Sequence, residues 1–338
     1  MRIGLTFDLR EEYLSRGWSD QQVAEFDRPD TIDAMELALR TLGHEPVRIG
    51  GASSLMERLA AGERWDLVLN IAEGVSGIGR ESLVPAMLDH AGIAYTFGDP
   101  LCCALTLDKP TAKHVLRSHG IPTPDFAIVE RAEDAERVAI AFPVFAKPSR
   151  EGSSKGVTAR SVCRNRAELR DLCASLIDEF EQPVLVESFL PGREVTVGML
   201  GTGPEARVLG VLAVGLTGGA QVYAYDDKER CEELVQYALD RTPFGEEAAR
   251  LGLAAYRAMG CRDAGRVDVR ADANGALHVI EVNALAGLHP SHSDLPIMAT
   301  LQGVTYTDLI GRILQCASRR LVREASPSVC CGGARCGC

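Results

Sequence analysis

Arg266, Asp268, Glu281 and Asn283 are the side chains of this sequence whose types and spacing carry the most chemistry. Arg266-Val267-Asp268-Val269 and Val279-Ile280-Glu281-Val282-Asn283 alternate polar and apolar residues on either side of Ala271-Asp272-Ala273-Asn274-Gly275. The Asn-Gly pair is a strong hairpin signal. A two- or four-residue turn centred on Asn274-Gly275 sets Asp268 opposite Glu281 and Arg266 opposite Asn283. Side chains alternate faces along a strand, so the four polar groups share one face while Val267, Val269, Ile280 and Val282 take the other. Opposed residues have Cβ atoms roughly 5 Å apart, and two carboxylates at that distance repel unless a cation joins them. Asp, Glu and Asn supply hard oxygen donors suited to Mg²⁺, which completes its shell with water and phosphate oxygens. The hairpin outlines a metal–phosphate site. A cross-strand salt network is the weaker reading, because polar groups on the inward face of an apolar hairpin need a stronger reason to be there.

Three other clusters could serve a phosphate. Lys147 ends an apolar run and leads into Pro148-Ser-Arg-Glu-Gly-Ser-Ser-Lys-Gly156. Glycines there let backbone N–H groups turn toward an anion, and Ser153 and Ser154 add hydroxyl donors. By itself this stretch reads equally as a solvated turn. Glu187 and Glu194 flank a Pro-Gly turn, and Lys228 lies in Tyr223-Ala-Tyr-Asp-Asp-Lys228. Taken alone, those two segments are surface charges and a surface ion pair.

The elements that position these groups follow from periodicity. The first hundred residues predict strands at Arg2 to Phe7, Glu45 to Ile49 and Asp66 to Ile71, alternating with helices at Thr31 to Leu42, Ser54 to Ala61 and Glu81 to Ala91. Such alternation implies a parallel sheet with helices on both faces. Glu11 to Pro29 shows neither period and reads as a loop or short helix at the sheet's carboxyl edge. Further on, helices are predicted at Lys109 to His119, Ala132 to Ala141, Arg166 to Glu179, Phe244 to Met259 and Val304 to Arg320. Strands are predicted at Phe126 to Val129, Pro143 to Lys147, Val157 to Val162, Val184 to Ser188, Glu194 to Leu200, Arg207 to Gly215 and Gln221 to Tyr225. The divisions expected are an α/β domain over 1–105, a small α+β lobe over 106–183, a larger lobe with the hairpin over 184–322, and a Cys/Gly-rich tail over 323–338.

The net charge of −11, with no run of Lys or Arg, argues against nucleic-acid and anionic-membrane partners. No apolar stretch approaches the ~20 residues that span a bilayer, and Met1-Arg-Ile-Gly-Leu-Thr-Phe-Asp8 reads as a strand rather than a signal peptide. A cytoplasmic location is expected. Of 11 cysteines, Cys102, Cys103, Cys163, Cys173, Cys231, Cys261 and Cys316 read as small, reduced, mostly buried hydrophobes. Cys330, Cys331, Cys336 and Cys338 crowd the tail without the paired Cys-x-x-Cys of a structural zinc site.

Together these motifs resemble the ATP-grasp superfamily, and within it the D-alanine–D-alanine ligases. The resemblance is carried by Lys147-Pro-Ser-Arg-Glu-Gly-Ser-Ser154, Val186-Glu-Ser-Phe-Leu-Pro-Gly-Arg-Glu194, Lys228 in its setting, Gly265-Arg-Val-Asp268, and Glu281-Val-Asn283 followed by Gly287 and His292-Ser293. It implies an ATP-grasp fold behind a Rossmann-like parallel-sheet domain, α/β and α+β in class, with ATP between two lobes. It also implies ATP with Mg²⁺ (two ions, replaceable by Mn²⁺), amino-acid or small-peptide substrates, and a homodimer. Lys109 and Lys147 would contact phosphates, under a loop bearing Ser153 and Ser154. Glu187 would meet the adenine side, Glu194 the ribose and Lys228 the γ-phosphate. Asp268, Glu281 and Asn283 would hold the metal. Arg266, Lys228 and Ser154 would be catalytic, and Ser293, Asp294, Gly287 and Glu11 would bind substrate.

The sequence departs from the family at the substrate end. Phe7-Asp8-Leu9-Arg10-Glu11-Glu12 stands where the family has Gly-Gly-x-Ser-x-Glu, with Asp8, Glu11 or Glu12 as replacements for its glutamate. Glu229 replaces a tyrosine, Ala284-Leu-Ala-Gly287 replaces Thr-Ser-Pro-Gly, and Asp294 replaces a leucine, where it would repel an anion and favour an amine. The expected activity is ATP-dependent amide formation, through an acyl phosphate, between an amino-acid carboxylate and the amine of a second amino acid or small peptide. D-alanine–D-alanine ligation proper is the narrower alternative. An ATP-binding regulatory module without turnover and a kinase are the alternatives of other classes.

Overall fold

The computed structural model describes residues 1–216 and 235–324. The predicted strand Gln221 to Tyr225, Lys228, Glu229, Cys231 and the four tail cysteines lie outside the described residues.

The chain starts with β1 (Arg2–Thr6), α1 (Arg10–Ser15), α2 (Pro29–Thr41), β2 (Glu45–Gly50), α3 (Ala52–Ala60), β3 (Leu67–Asn70) and α4 (Leu83–Ala91). The three strands form a parallel sheet in the order β2-β1-β3. Ile3, Leu5, Leu67, Val68 and Leu69 are fully buried, as expected where both faces of a parallel sheet are covered. On α2, Ile32, Met35, Ala38 and Leu39 make the helical apolar stripe. They share one core with β1, β3 and the last helix of the described chain, which returns to this sheet.

Two capped helices follow, α5 (Pro100–Leu107) and α6 (Lys109–Ser118). The Asp99 carboxylate accepts from the Cys102 N–H at 2.8 Å and Asp108 from that of Thr111 at 3.0 Å. α5 carries no sequence expectation because Leu-Cys-Cys-Ala-Leu is apolar on every side and shows no period.

Next come β4 (Phe126–Val129), β5 (Val144–Pro148), β6 (Val162–Cys163), α7 (Arg166–Phe180) and β7 (Val184–Ser188). The strands pair antiparallel in the order β4-β7-β5-β6, with α7 and its Leu169, Leu172 and Leu176 in their core. Two expectations are corrected here. Ala132 to Ala141 is not an α-helix but a short 3₁₀ turn over Ala132–Arg137, because Val138 turns extended to enter the core and Pro143 disfavours helix at the residue before it. Val157 to Val162 is not one strand. The Thr158 hydroxyl accepts from the Arg160 N–H at 3.2 Å and the Ser161 hydroxyl from that of Thr158 at 3.1 Å, so local turns hold the backbone until β6.

The remaining elements are β8 (Glu194–Leu200), β9 (Arg207–Leu216), β10 (Val235–Leu239), α8 (Pro243–Ala258), β11 (Ala264–Ala271), β12 (Leu277–Asn283), α9 (Asp294–Leu301) and α10 (Tyr306–Glu324). The sheet runs β10-β9-β8-β11-β12. A Cβ on Gly252 of α8 would lie 3.0 Å from Val197, and one on Gly198 would lie 2.5 Å from the Met298 sulfur of α9, so the two helices press on opposite faces of the sheet.

The hairpin β11–β12 pairs Arg266 with Asn283 and Asp268 with Glu281, as the sequence predicts. The route differs. Ala271 pairs with Leu277, so the turn holds Asp272 to Ala276 and centres on Asn274, and a bulge makes up the odd residue between Val279 and Glu281. Val279, not Ile280, therefore joins Val267, Val269 and Val282 in the core. Cys102, Cys103, Cys163, Cys173 and Cys261 are free and buried, and Cys316 is free and half-buried. No helix among the described residues is long and apolar enough to cross a membrane.

Candidate active site

Two cavities meet at the polar face of the hairpin. One, of about 140 Å³, lies between β5, β7 and β12. The other, of about 300 Å³, opens toward the carboxyl edge of the N-terminal sheet. Lys109, Ser153, Arg266, Glu281 and Asn283 border both.

In the first cavity, β5 carries Lys147 one residue before its end and β7 presents the buried Glu187, with 3.1 Å between Nζ and Oε2. The second oxygen of Glu187 pairs with Lys113. Burial pushes the Glu187 carboxyl up, yet Lys113 and Lys147 together hold it below its ordinary range. Lys113 is lowered by burial despite Glu187. Sequence reasoning missed Lys113, although it follows Lys109 by four residues and so shares a helix face with it. Glu194 opens β8 and binds Arg270 at 3.0 Å. The bulged Ile280 is half-buried and lines this cavity.

At the junction, Lys109 Nζ lies 3.0 Å from Glu281 and donates to the Glu151 carbonyl at 2.5 Å. Burial would raise the Glu281 carboxyl, but Lys109, Lys147 and Arg266 bring it down to about 2. Asp268 accepts from the Thr196 hydroxyl at 2.7 Å and from the Asn283 amide nitrogen at 3.2 Å, which leaves the Asn283 carbonyl oxygen uncommitted to that bond. Arg266 Nη1 is 2.5 Å from Asp294 and 3.9 Å from Asp268. The described residues hold no cluster of three His, Cys, Asp or Glu side chains as a metal site. The hairpin set is two carboxylates and one amide, hard oxygen donors that fit Mg²⁺.

The loop after β5 closes over this junction. Ser153 and Ser154 have φ of 48° and 58°, a left-handed conformation that non-glycine residues adopt at a cost. The loop is tied down by Arg150 to Asp108 at 2.8 Å and by Glu25, which takes Lys155 at 2.8 Å, Arg80 at 3.1 Å and the Gly152 N–H. Glu25, on the segment without periodicity, gave no sequence signal.

In the second cavity, Asp294 opens α9, and the Ser293 hydroxyl accepts from the His289 N–H at 3.0 Å. Gly287 lets that loop close, since a Cβ there would lie 2.8 Å from the Ser293 oxygen. The structure does not bring Glu11 to the site: it is exposed on α1 and lines neither cavity. Asp8 is buried, accepting from the Tyr13 hydroxyl and the Gly74 N–H, each at 2.9 Å. The acidic wall is Asp27, Glu73 and Glu81, which the sequence left unmarked. Burial pushes Asp27 up to about 8, helped by Asp8, and Glu81 up to about 7. Glu73 is raised well above its ordinary range, by burial first and then by Glu81 and Glu25.

The sequence matches the family model described as D-ala D-ala ligase C-terminus over residues 115–315. It is 34% identical to a D-alanine–D-alanine ligase of Actinobacillus pleuropneumoniae over 292 residues, 83% of this chain and 90% of that one. D-alanine–D-alanine ligase B of Xanthomonas campestris pv. campestris is 32% identical over 286 residues, 82% and 86% of the two chains. The fold matches the crystal structure of D-alanine–D-alanine ligase from Bacillus anthracis complexed with ATP, with a TM-score of 0.73 at 23% identity, over 96% of this chain and 100% of that one. With most of its length inside that family model and such relatives along nearly all of it, the chain belongs to the D-alanine–D-alanine ligase family of ATP-grasp proteins.

Proposed function

We propose that this protein is an ATP-dependent carboxylate–amine ligase, joining an amino acid to the amine of a second amino acid or small peptide. The observation that carries the reading is the convergence of Lys109, Lys147, Arg266 and the Asp268–Glu281–Asn283 set where two cavities meet. One cavity takes the nucleotide and the other the substrates to be joined.

The donor carboxylate attacks the γ-phosphate, ADP leaves, and the acyl phosphate is displaced by the amine with release of phosphate. In-line phosphoryl transfer needs charge neutralisation and positioning more than a general base. Lys109 and Lys147 are buried and charged, and Lys147 is held above its ordinary range by Glu187 and Glu281 against burial. They supply positive charge at the phosphates. Lys228, outside the described residues, is assigned to the γ-phosphate. Asp268, Glu281 and Asn283 would hold Mg²⁺, which when bound neutralises phosphate charge. Arg266, charged throughout, donates hydrogen bonds to the acyl phosphate and then to the developing oxyanion. Ser153, Ser154 and the loop exclude water that would hydrolyse the acyl phosphate.

Incubation with ATP, Mg²⁺ and pooled amino acids of both hands, followed by phosphate release and product mass, tests this. Amino-acid-dependent ADP and phosphate with a new amide are expected. A phosphorylated product would indicate a kinase, and absence of turnover with every pool would leave a binding module.

A further inference from the structure

The polar groups around the second cavity are unevenly matched. Among the described residues, its cations are already matched within the chain. Arg266 pairs with Asp294 at 2.5 Å, Arg28 reaches Asp30 at 3.2 Å, and Lys109 is taken by Glu281 at 3.0 Å. Arg10 is engaged as well. The opposite holds for three carboxylates of the same wall. Asp27, Glu73 and Glu81 line the cavity, and although Arg80 acts on Glu73 and Glu81, and Lys109 on Glu81, burial keeps all three raised.

A substrate carboxylate placed beside Arg266 would have to share that guanidinium with Asp294, oxygen against oxygen. Like charges in such contact oppose binding strongly when water is excluded. An amine meets no such obstacle, since the second oxygen of Asp294 can accept its N–H while Arg266 keeps its remaining donors for the acyl phosphate.

We infer that Asp294 is a specificity-determining residue that selects an acceptor amine with no carboxylate beside its attacking nitrogen, and that the acceptor carries a second, positively charged nitrogen bound by the acidic wall. The acceptor class is a short diamine. This rests on the ligase reading and replaces its amino-acid or peptide acceptor with a diamine.

The test separates the two. Hydroxylamine, a small neutral nucleophile, traps the acyl phosphate as a hydroxamate without using the acceptor subsite. With hydroxylamine, ATP, Mg²⁺ and pooled donors, hydroxamate is expected from the wild-type protein. With acceptors, the wild-type protein should use short diaminoalkanes at least about tenfold better in kcat/KM than alanine of either hand, and both Asp294→Leu and Asp294→Asn should narrow or reverse that ratio by about tenfold. Hydroxamate formation together with a wild-type preference for amino acids would overturn the inference and leave the ligase standing. So would a diamine preference that both variants keep. No hydroxamate from any donor would overturn the ligase reading and this inference with it.

Discussion

Three carboxylates that border the second cavity have been moved, one down and two up, and the signs can be checked by titration. Glu281 sits near 2, below its ordinary 4.5, because Lys109, Lys147 and Arg266 outweigh burial. It therefore contributes stability above the ordinary range, and that contribution is lost as pH falls through about 2. Glu81 and Asp27 are raised by burial to about 7 and about 8, so the folded chain keeps protons that the unfolded chain gives up. Stability should fall as pH rises from the ordinary carboxylate range to about 8 and then level off. Thermal unfolding across that range should show the decline, and Glu81→Gln should flatten it; an unchanged slope in the variant would refute the assignment. Glu281→Gln should keep the fold but lower kcat by about 10²–10³, read by phosphate release beside a melting curve. The placement of Arg266, Asp268 and Lys147 beside the cavities was legible because hairpin alternation and a lysine near a strand end leave periodic marks. Glu25, Asp27 and Glu73 were not, because they come from stretches without a period, and Glu81 was not, because it stands at the very start of a predicted helix; there only the folded chain shows what faces what.

At the scale of elements, the hairpin shows how a correct register can follow from incomplete premises. Counting from Asn274-Gly275 gives the right pairing at Asp268 and Glu281. The turn, however, is closed by the Asp272 carboxylate, which accepts from the N–H groups of Asn274 at 2.8 Å and Ala276 at 2.9 Å. That loop is odd in length, and the bulge at Ile280 restores the count. Alternation alone cannot reveal a bulge, because the extra residue is visible only as a break in pairing. The bulge also lays an apolar side chain along the smaller cavity without disturbing the acidic face. Ile280→Ala should accordingly raise KM for ATP about fivefold, the equivalent of ~1 kcal/mol of lost contact, with kcat little changed. Equal loss in both constants would show that Ile280 supports the transition state instead. The short 3₁₀ turns in place of a predicted helix and strand have the same lesson, since hydroxyl caps and one proline overrode the periodicity.

For the whole molecule, Glu25 is the clearest coupling device, because it borders the second cavity and also fastens the loop over the first. Coupling is reciprocal, so whatever the closed loop adds to substrate affinity, substrate adds to closure. Glu25→Gln should loosen the loop and admit water, so the ratio of amide formed to ATP hydrolysed should drop several-fold; an unchanged ratio would rule out this latch. The alternating strands and helices of the first hundred residues made the parallel sheet legible, but nothing in them says which later segment covers it. That cover is α10, whose Leu309, Ile310, Ile313 and Leu314 share a core with Ile3, Leu5, Ile32 and Met35. Contacts this distant along the chain form slowly. During synthesis the ribosome delivers the sheet first and its cover last, so the apolar face that α10 covers stays bare until residue 314 has left the exit tunnel.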